Sequence, residues 1–125
     1  MSQLWAGFGT STVADTQAAI HAAVRAAKAQ LGDRSPGLAV VTATVEHEGR
    51  AIFAALRESL PNVPIHGVTT SLGVLTKQGI VTGADGAVAV LLFASSGNIS
   101  FSVASAVLGD DARAAGRRAA EQIAR

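Results

Sequence analysis

Three short groups of side chains carry most of the chemistry this sequence offers. Thr69, Thr70 and Ser71 set three hydroxyls in a row, Thr10 and Ser11 set two more, and Thr44, Glu46 and His47 combine a hydroxyl, a carboxylate and an imidazole. Hydroxyls donate and accept hydrogen bonds, the carboxylate accepts and the imidazole does either, so together they match the donors and acceptors of a small zwitterionic or polar ligand. Each group follows an apolar run that reads as a strand. If those strands run in one direction, their carboxyl ends form a common rim, which is where open α/β sheets bind ligands. Helices starting near Val13 and Glu48 would add N-termini able to receive an anionic group. Threonine also favours strands and serine or threonine also caps helices, which would put these residues there without any ligand.

Other chemistries fit less well. No cysteine is present, so thiolate nucleophiles, disulfides and zinc–cysteine sites are excluded. A metal needs three or four convergent ligands, and only His47 with Glu46 or Glu48 lies close in sequence, so no metal is expected and no cofactor is assigned. His47 is either an acid–base group or a solvated loop residue. His66 reads as a half-buried, hydrogen-bonded strand histidine, and His21 as a helix-surface residue. Phosphate-binding loops and nucleophile elbows are absent.

The elements that must position these groups follow the hydrophobic pattern. Residues 4–9 read as a strand in which Gly7 and Gly9 allow close backbone approach. Thr12 and Asp15 resemble a capping box opening an alanine-rich helix, with Val13, Ile20, Val24, Ala27 and Leu31 on its inner face and Gly32 ending it. Residues 38–45 are nearly all apolar, as in a parallel strand covered on both faces. A helix follows to about Leu60, with Ile52, Phe53, Leu56 and Leu60 inward and Pro61 as its stop. Residues 64–68 are the third strand. From there the connections shorten, and the Asp85-Gly86 pair is a strong hairpin signal. Segments 72–76, 80–82, 87–94 and 99–108 read as antiparallel strands. Gly109-Asp110-Asp111 then caps a helix reaching Arg125, with Ala112, Ala115, Ala119 and Ile123 inward. The fold class expected is α/β with a mixed sheet: a parallel β-α-β-α-β half whose three strands are neighbours, then antiparallel hairpins and a C-terminal helix.

With 125 residues the chain is expected to form one domain. Its net charge of +1 gives no strong pull toward nucleic acid or a membrane surface, and the arginines at 113, 117, 118 and 125 read as a solvated helix face. The longest apolar run, residues 87–94, is far short of the roughly 20 residues of a membrane span. No basic-then-apolar leader is visible at the N-terminus, and a cytoplasmic location is expected. The 49% hydrophobic content is high for so short a chain and points to a buried association surface, either another copy or a further domain.

Several strings, in order, resemble the N-terminal domain of the FIST family, proposed bacterial sensory modules. They are Gly7-Phe8-Gly9-Thr10-Ser11, Leu38-Ala39-Val40-Val41-Thr42-Ala43, and residues 63–73 from Val63-Pro64-Ile65-His66-Gly67 to Ser71-Leu72-Gly73. Asp85-Gly86-Ala87-Val88-Ala89-Val90-Leu91-Leu92 and Gly109-Asp110-Asp111-Ala112-Arg113-Ala114-Ala115-Gly116 complete the set. The resemblance implies a non-enzymatic domain that recognises a small ligand, an amino acid or a derivative, and reports it to a signalling partner. It also implies a C-terminal domain that this chain lacks.

Two other readings remain open from the residues themselves. One is an oligomeric scaffold subunit that binds no ligand and covers its apolar surface by self-association. The other is an N-terminal-nucleophile hydrolase cleaved before Thr69, since residues 69–73, followed by Lys77-Gln78-Gly79-Ile80-Val81 and Asp85, look like its opening strands.

Overall fold

In the computed structural model, which describes residues 1–123, the chain folds as β1 (Leu4–Ser11), α1 (Thr16–Leu31), β2 (Leu38–Thr44), α2 (Gly49–Ser59), β3 (Ile65–Thr70), β4 (Val74–Thr76), β5 (Gly79–Val81), β6 (Val88–Ser95) and α3 (Ala112–Ile123). Four strands form the main sheet in the order β1-β6-β2-β3, and β4 pairs with β5 as a separate ribbon. The β2–β3 pair is parallel, while β6 runs antiparallel to both β1 and β2. This is the mixed α/β sheet the sequence predicts, with one rearrangement. β1, β2 and β3 do point the same way, but β6 stands between β1 and β2, so the three are not neighbours.

The insertion of β6 has a clear physical cause. Its alternate residues Val88, Val90, Leu92 and Ala94 are all buried, and an apolar strand of that kind gains most from a central place with a neighbour on each side. α1 covers β1 and β6 and packs beside α2. The approach is close because Gly7 and Gly9 carry no side chain: a Cβ on either would overlap the carbonyl of Ala27 or Ala23. The buried face of α1 consists of Ala19, Ile20, Ala23, Val24, Ala27 and Leu31.

Local signals are mostly realised, with shifts at the ends. Asp15 is itself the N-cap of α1 and accepts from the Ala18 N–H at 2.8 Å, so the Thr12–Asp15 capping box does not form and Val13 lies outside the helix, exposed. Gly32 closes α1 at φ 63°. Glu48 caps α2, accepting from the N–H groups of Arg50 and Ala51. On α2 the inward residues are Ile52, Ala55 and Leu56, whereas Phe53 turns outward under the Arg57 guanidinium, 5.1 Å from the ring centroid.

The expected strand at 99–108 does not form. Its carbonyls at Ser105 and Val107 are taken by Gln122 and Arg118 of α3, and the segment pairs with neither sheet edge. Phe101 is its aromatic anchor, lying against Phe93 and over Gly37. α3 rests lightly on the rest: Ala115 is buried, but Ala112 and Ile123 are exposed. The expected continuation to Arg125 lies outside the described residues.

Candidate functional site

The rim residues sit at one end of the sheet but on two faces of it. Register lines up Ser11, Val88, Ala43 and Thr69 in one row across the four strands, on the helix side. Ser11 and Thr69 are therefore three strand spacings of about 4.8 Å apart, roughly 14 Å, with fully buried Val88 between them. Thr10 belongs to the opposite face, in a row with Ala89, Thr42 and Val68, and Thr70 shares that face in register with Thr44. Ser71 follows β3 in an exposed bend. Thr10 and Ser11 are thus separated from the β2 and β3 groups by β6, and no single hollow collects all eight side chains.

Thr44, Glu46 and His47 do come together, in a tight turn after β2. The His47 N–H donates to the Thr44 carbonyl at 3.1 Å, and the Thr44 hydroxyl accepts from the Ala87 N–H at 2.9 Å, tying the turn to the start of β6. The nearness of that hydroxyl to the Glu46 carboxylate is the main reason its pKa lies below the ordinary value of 4.5. The Glu46 backbone N–H and the nearby His47 act in the same direction, against a small opposing effect of burial.

His47 is neither solvated nor open to a ligand. It is 2% exposed, its Nδ1 lies 2.9 Å from the Thr16 hydroxyl at the first turn of α1, and its Nε2 is buried with no hydrogen-bond partner. Gly86, at φ 99°, presses its backbone against Thr44, Glu46 and His47; a Cβ there would sit 2.7 Å from the Thr44 hydroxyl. Thr16 and Gly86 are the residues sequence reasoning missed in this cluster. The Asp85-Gly86 pair was legible as a turn, but its role as a lid over the histidine was not.

His66 departs from expectation in the other direction, being exposed on β3 rather than half-buried. His21 is partly exposed, 3.5 Å from Glu58. Among the described residues no three His, Asp or Glu side chains gather as metal ligands would.

A well-formed cleft lies elsewhere, between α2 and the β2–β3 pair. α2 leans on α1 and stands away from the outer strand, leaving a cleft of about 650 Å³. Its walls are Val41 and Ala43 of β2, Ile65, Gly67 and Thr69 of β3, and Gly49, Ile52, Phe53 and Leu56 of α2. Thr69 is the one expected site residue that lines it. The lining carries no charged side chain, and Gly49 and Gly67 leave space where any other residue would narrow it.

Among the described residues no helix is long and apolar enough to cross a membrane. A comparison with curated proteins gives no match. The family model of the FIST N domain matches residues 37–125, which span β2 through α3 and include the cleft and the Glu46–His47 turn. β1 and α1, with the Gly7-Phe8-Gly9-Thr10-Ser11 string, lie before the matched stretch. With well over half of its length matched, the chain belongs to the FIST N domain family, whose members are sensory domains of signal-transduction proteins.

Proposed function

We propose that this chain is a ligand-recognising sensory module that binds a small molecule, amino acid-like in size, in the α2–β3 cleft without turning it over. The observation that carries the reading is the cleft itself: about 650 Å³, running beside the parallel pair along α2 from Gly49 to Leu56, with Thr69 as its hydroxyl. Pockets that hold small ligands have such volumes, mostly apolar walls and few polar groups. The apolar lining favours ligands with an aliphatic body over small, fully polar ones. Thr10, Ser11, Thr44, Glu46, His47, Thr70 and Ser71 stand outside this cleft, and the polar turn after β2 ties the end of β2 to the start of β6 and to α1.

The hydrolase reading loses support from the same geometry. β3 runs unbroken through the Val68–Thr69 bond while paired to Thr42 and Ala43, so cleavage there would cut a strand already in the sheet.

Thermal-shift and calorimetric titration against branched and straight-chain amino acids and short aliphatic carboxylates tests the proposal. A binder is expected whose affinity falls by about 1 to 3 kcal/mol in Thr69→Val, the usual effect of leaving a ligand polar group unpaired. Thr70→Val, on the far face, is expected to leave it unchanged. Binding that ignores Thr69 and follows Thr70 would move the site off the cleft.

A further inference from the structure

The two edges of the main sheet are treated differently. At β1 the outward backbone of Phe8 is already paired: the Gln30 side chain accepts from its N–H at 3.1 Å and donates to its carbonyl at 2.8 Å, so a helix residue takes the place of a neighbouring strand. β3 has no such plug. The Ala39 N–H donates to Pro64 and the Val45 N–H to Thr70, which fixes the phase of the parallel ladder. The backbone of the even-numbered residues therefore faces β2, and the N–H and C=O groups of Ile65, Gly67 and Thr69 face outward. No side chain among the described residues bonds to them. The usual devices that blunt an edge, a lysine, an internal proline or an inward charge, are also missing from β3.

The cleft lies beside this same strand, with Ile65, Gly67 and Thr69 in its lining. A further strand beside β3 would satisfy the three outward pairs and send alternate side chains toward Ile52, Phe53 and Leu56, the arrangement by which extended peptides add to sheets. We infer that the β3 edge is a docking site for an extended segment of a partner protein, apolar at alternate positions and bearing carboxylates at its ends.

Charge selects that occupant over a second copy. Arg50, Phe53 and Arg57 share one side of α2 at spacings of three and four residues, the side that borders the cleft through Phe53; the Arg57 guanidinium also donates to the carbonyls of Leu60, Pro61 and Val63 and keeps its charge there. The helix's carboxylates are committed elsewhere, Glu48 to the helix N-terminus and Glu58 to Gln17 and His21. Two copies joined edge to edge through β3 would place both α2 helices on one face of the joined sheet, arginines against arginines. A strand with acidic ends meets the same stripe favourably. The inference shares the cleft with the small-ligand reading but not its determinant, since it depends on outward backbone N–H groups and not on the Thr69 hydroxyl.

The test uses a labelled six-residue peptide, matched to the six residues of β3, alternating valine and threonine between terminal glutamates, and a second one with terminal lysines. Anisotropy titration at low salt and amide hydrogen exchange by NMR are read together. The glutamate peptide is expected to bind, to slow exchange at Ile65, Gly67 and Thr69, and to exceed the lysine peptide at least tenfold. Thr69→Pro, which removes one outward N–H and no ladder bond, is expected to weaken it at least tenfold, whereas Thr69→Val stays within twofold. If the proline variant melts early, the exchange pattern of the unaltered protein decides alone. Absence of binding, binding without protection of those amides, equal binding of the lysine peptide, or protection that grows with protein concentration alone would each overturn the inference.

Discussion

At the scale of single residues, the turn after β2 shows how one hydroxyl can organise its surroundings. The Thr44 side chain closes the start of β6 through Ala87 and, lying close to the Glu46 carboxylate, lowers its pKa. A carboxyl whose folded pKa lies below its unfolded value contributes stability that is present above the unfolded range and is lost as pH falls through the folded one. Glu46→Gln is therefore expected to lower Tm at neutral pH and to close the gap with the unaltered protein in acid, below the ordinary value of 4.5. A Tm series from neutral to acidic pH checks this, and a gap constant across that range would rule the coupling out. Residue types alone placed Thr44, Glu46 and His47 together correctly. They were silent on the direction of the imidazole, because burial of His47 depends on Thr16 and Gly86, which are 31 and 39 positions away.

At the scale of elements, the contact between α1 and β1 is the most sensitive joint. Gly9 admits the Ala23 carbonyl where any side chain would collide with it, and backbone cannot swing aside as a flexible side chain would. Gly9→Val is expected to destabilise the fold by about 1 to 3 kcal/mol or more through overpacking. Urea unfolding measures it, and a midpoint within error of the unaltered protein would show that α1 rides further from the sheet. The glycines at 7 and 9 announced a close approach in the sequence, but not which helix would arrive. The continuous apolar run at 87–94 likewise carried the sign of a central strand, in the same way as 38–45 did. Sequence order suggested hairpin neighbours for it instead, and chain order is a poor guide once a ribbon such as β4–β5 intervenes.

At the scale of the whole molecule, stability is concentrated in the residues that precede the C-terminal segment. The buried core draws on α1, β2, α2 and β6, with Leu60 beside them, whereas residues 99–123 add one buried side chain, Ala115. Regions with few apolar contacts open at lower free energy than the core. Native-state hydrogen exchange is expected to show α3 opening well before α1 and β6, with amide protection lower by at least tenfold. Equal protection in α3 and α1 would mean that the C-terminal helix is bound more firmly than its exposed face implies.

Periodicity and turn residues alone determined that the chain is an α/β domain with two crossover helices, co-directional strands at β1, β2 and β3, and hydroxyls at their ends. Those features are local, since each depends on backbone preferences and side-chain spacing within a dozen residues. Only tertiary structure decided that β6 would divide β1 from β2, that His47 would turn inward, and that α2 would stand off from β3 to leave a cleft and an open edge. These outcomes depend on which apolar faces meet across long sequence separations, where the gain from burying a whole strand outweighs any local preference.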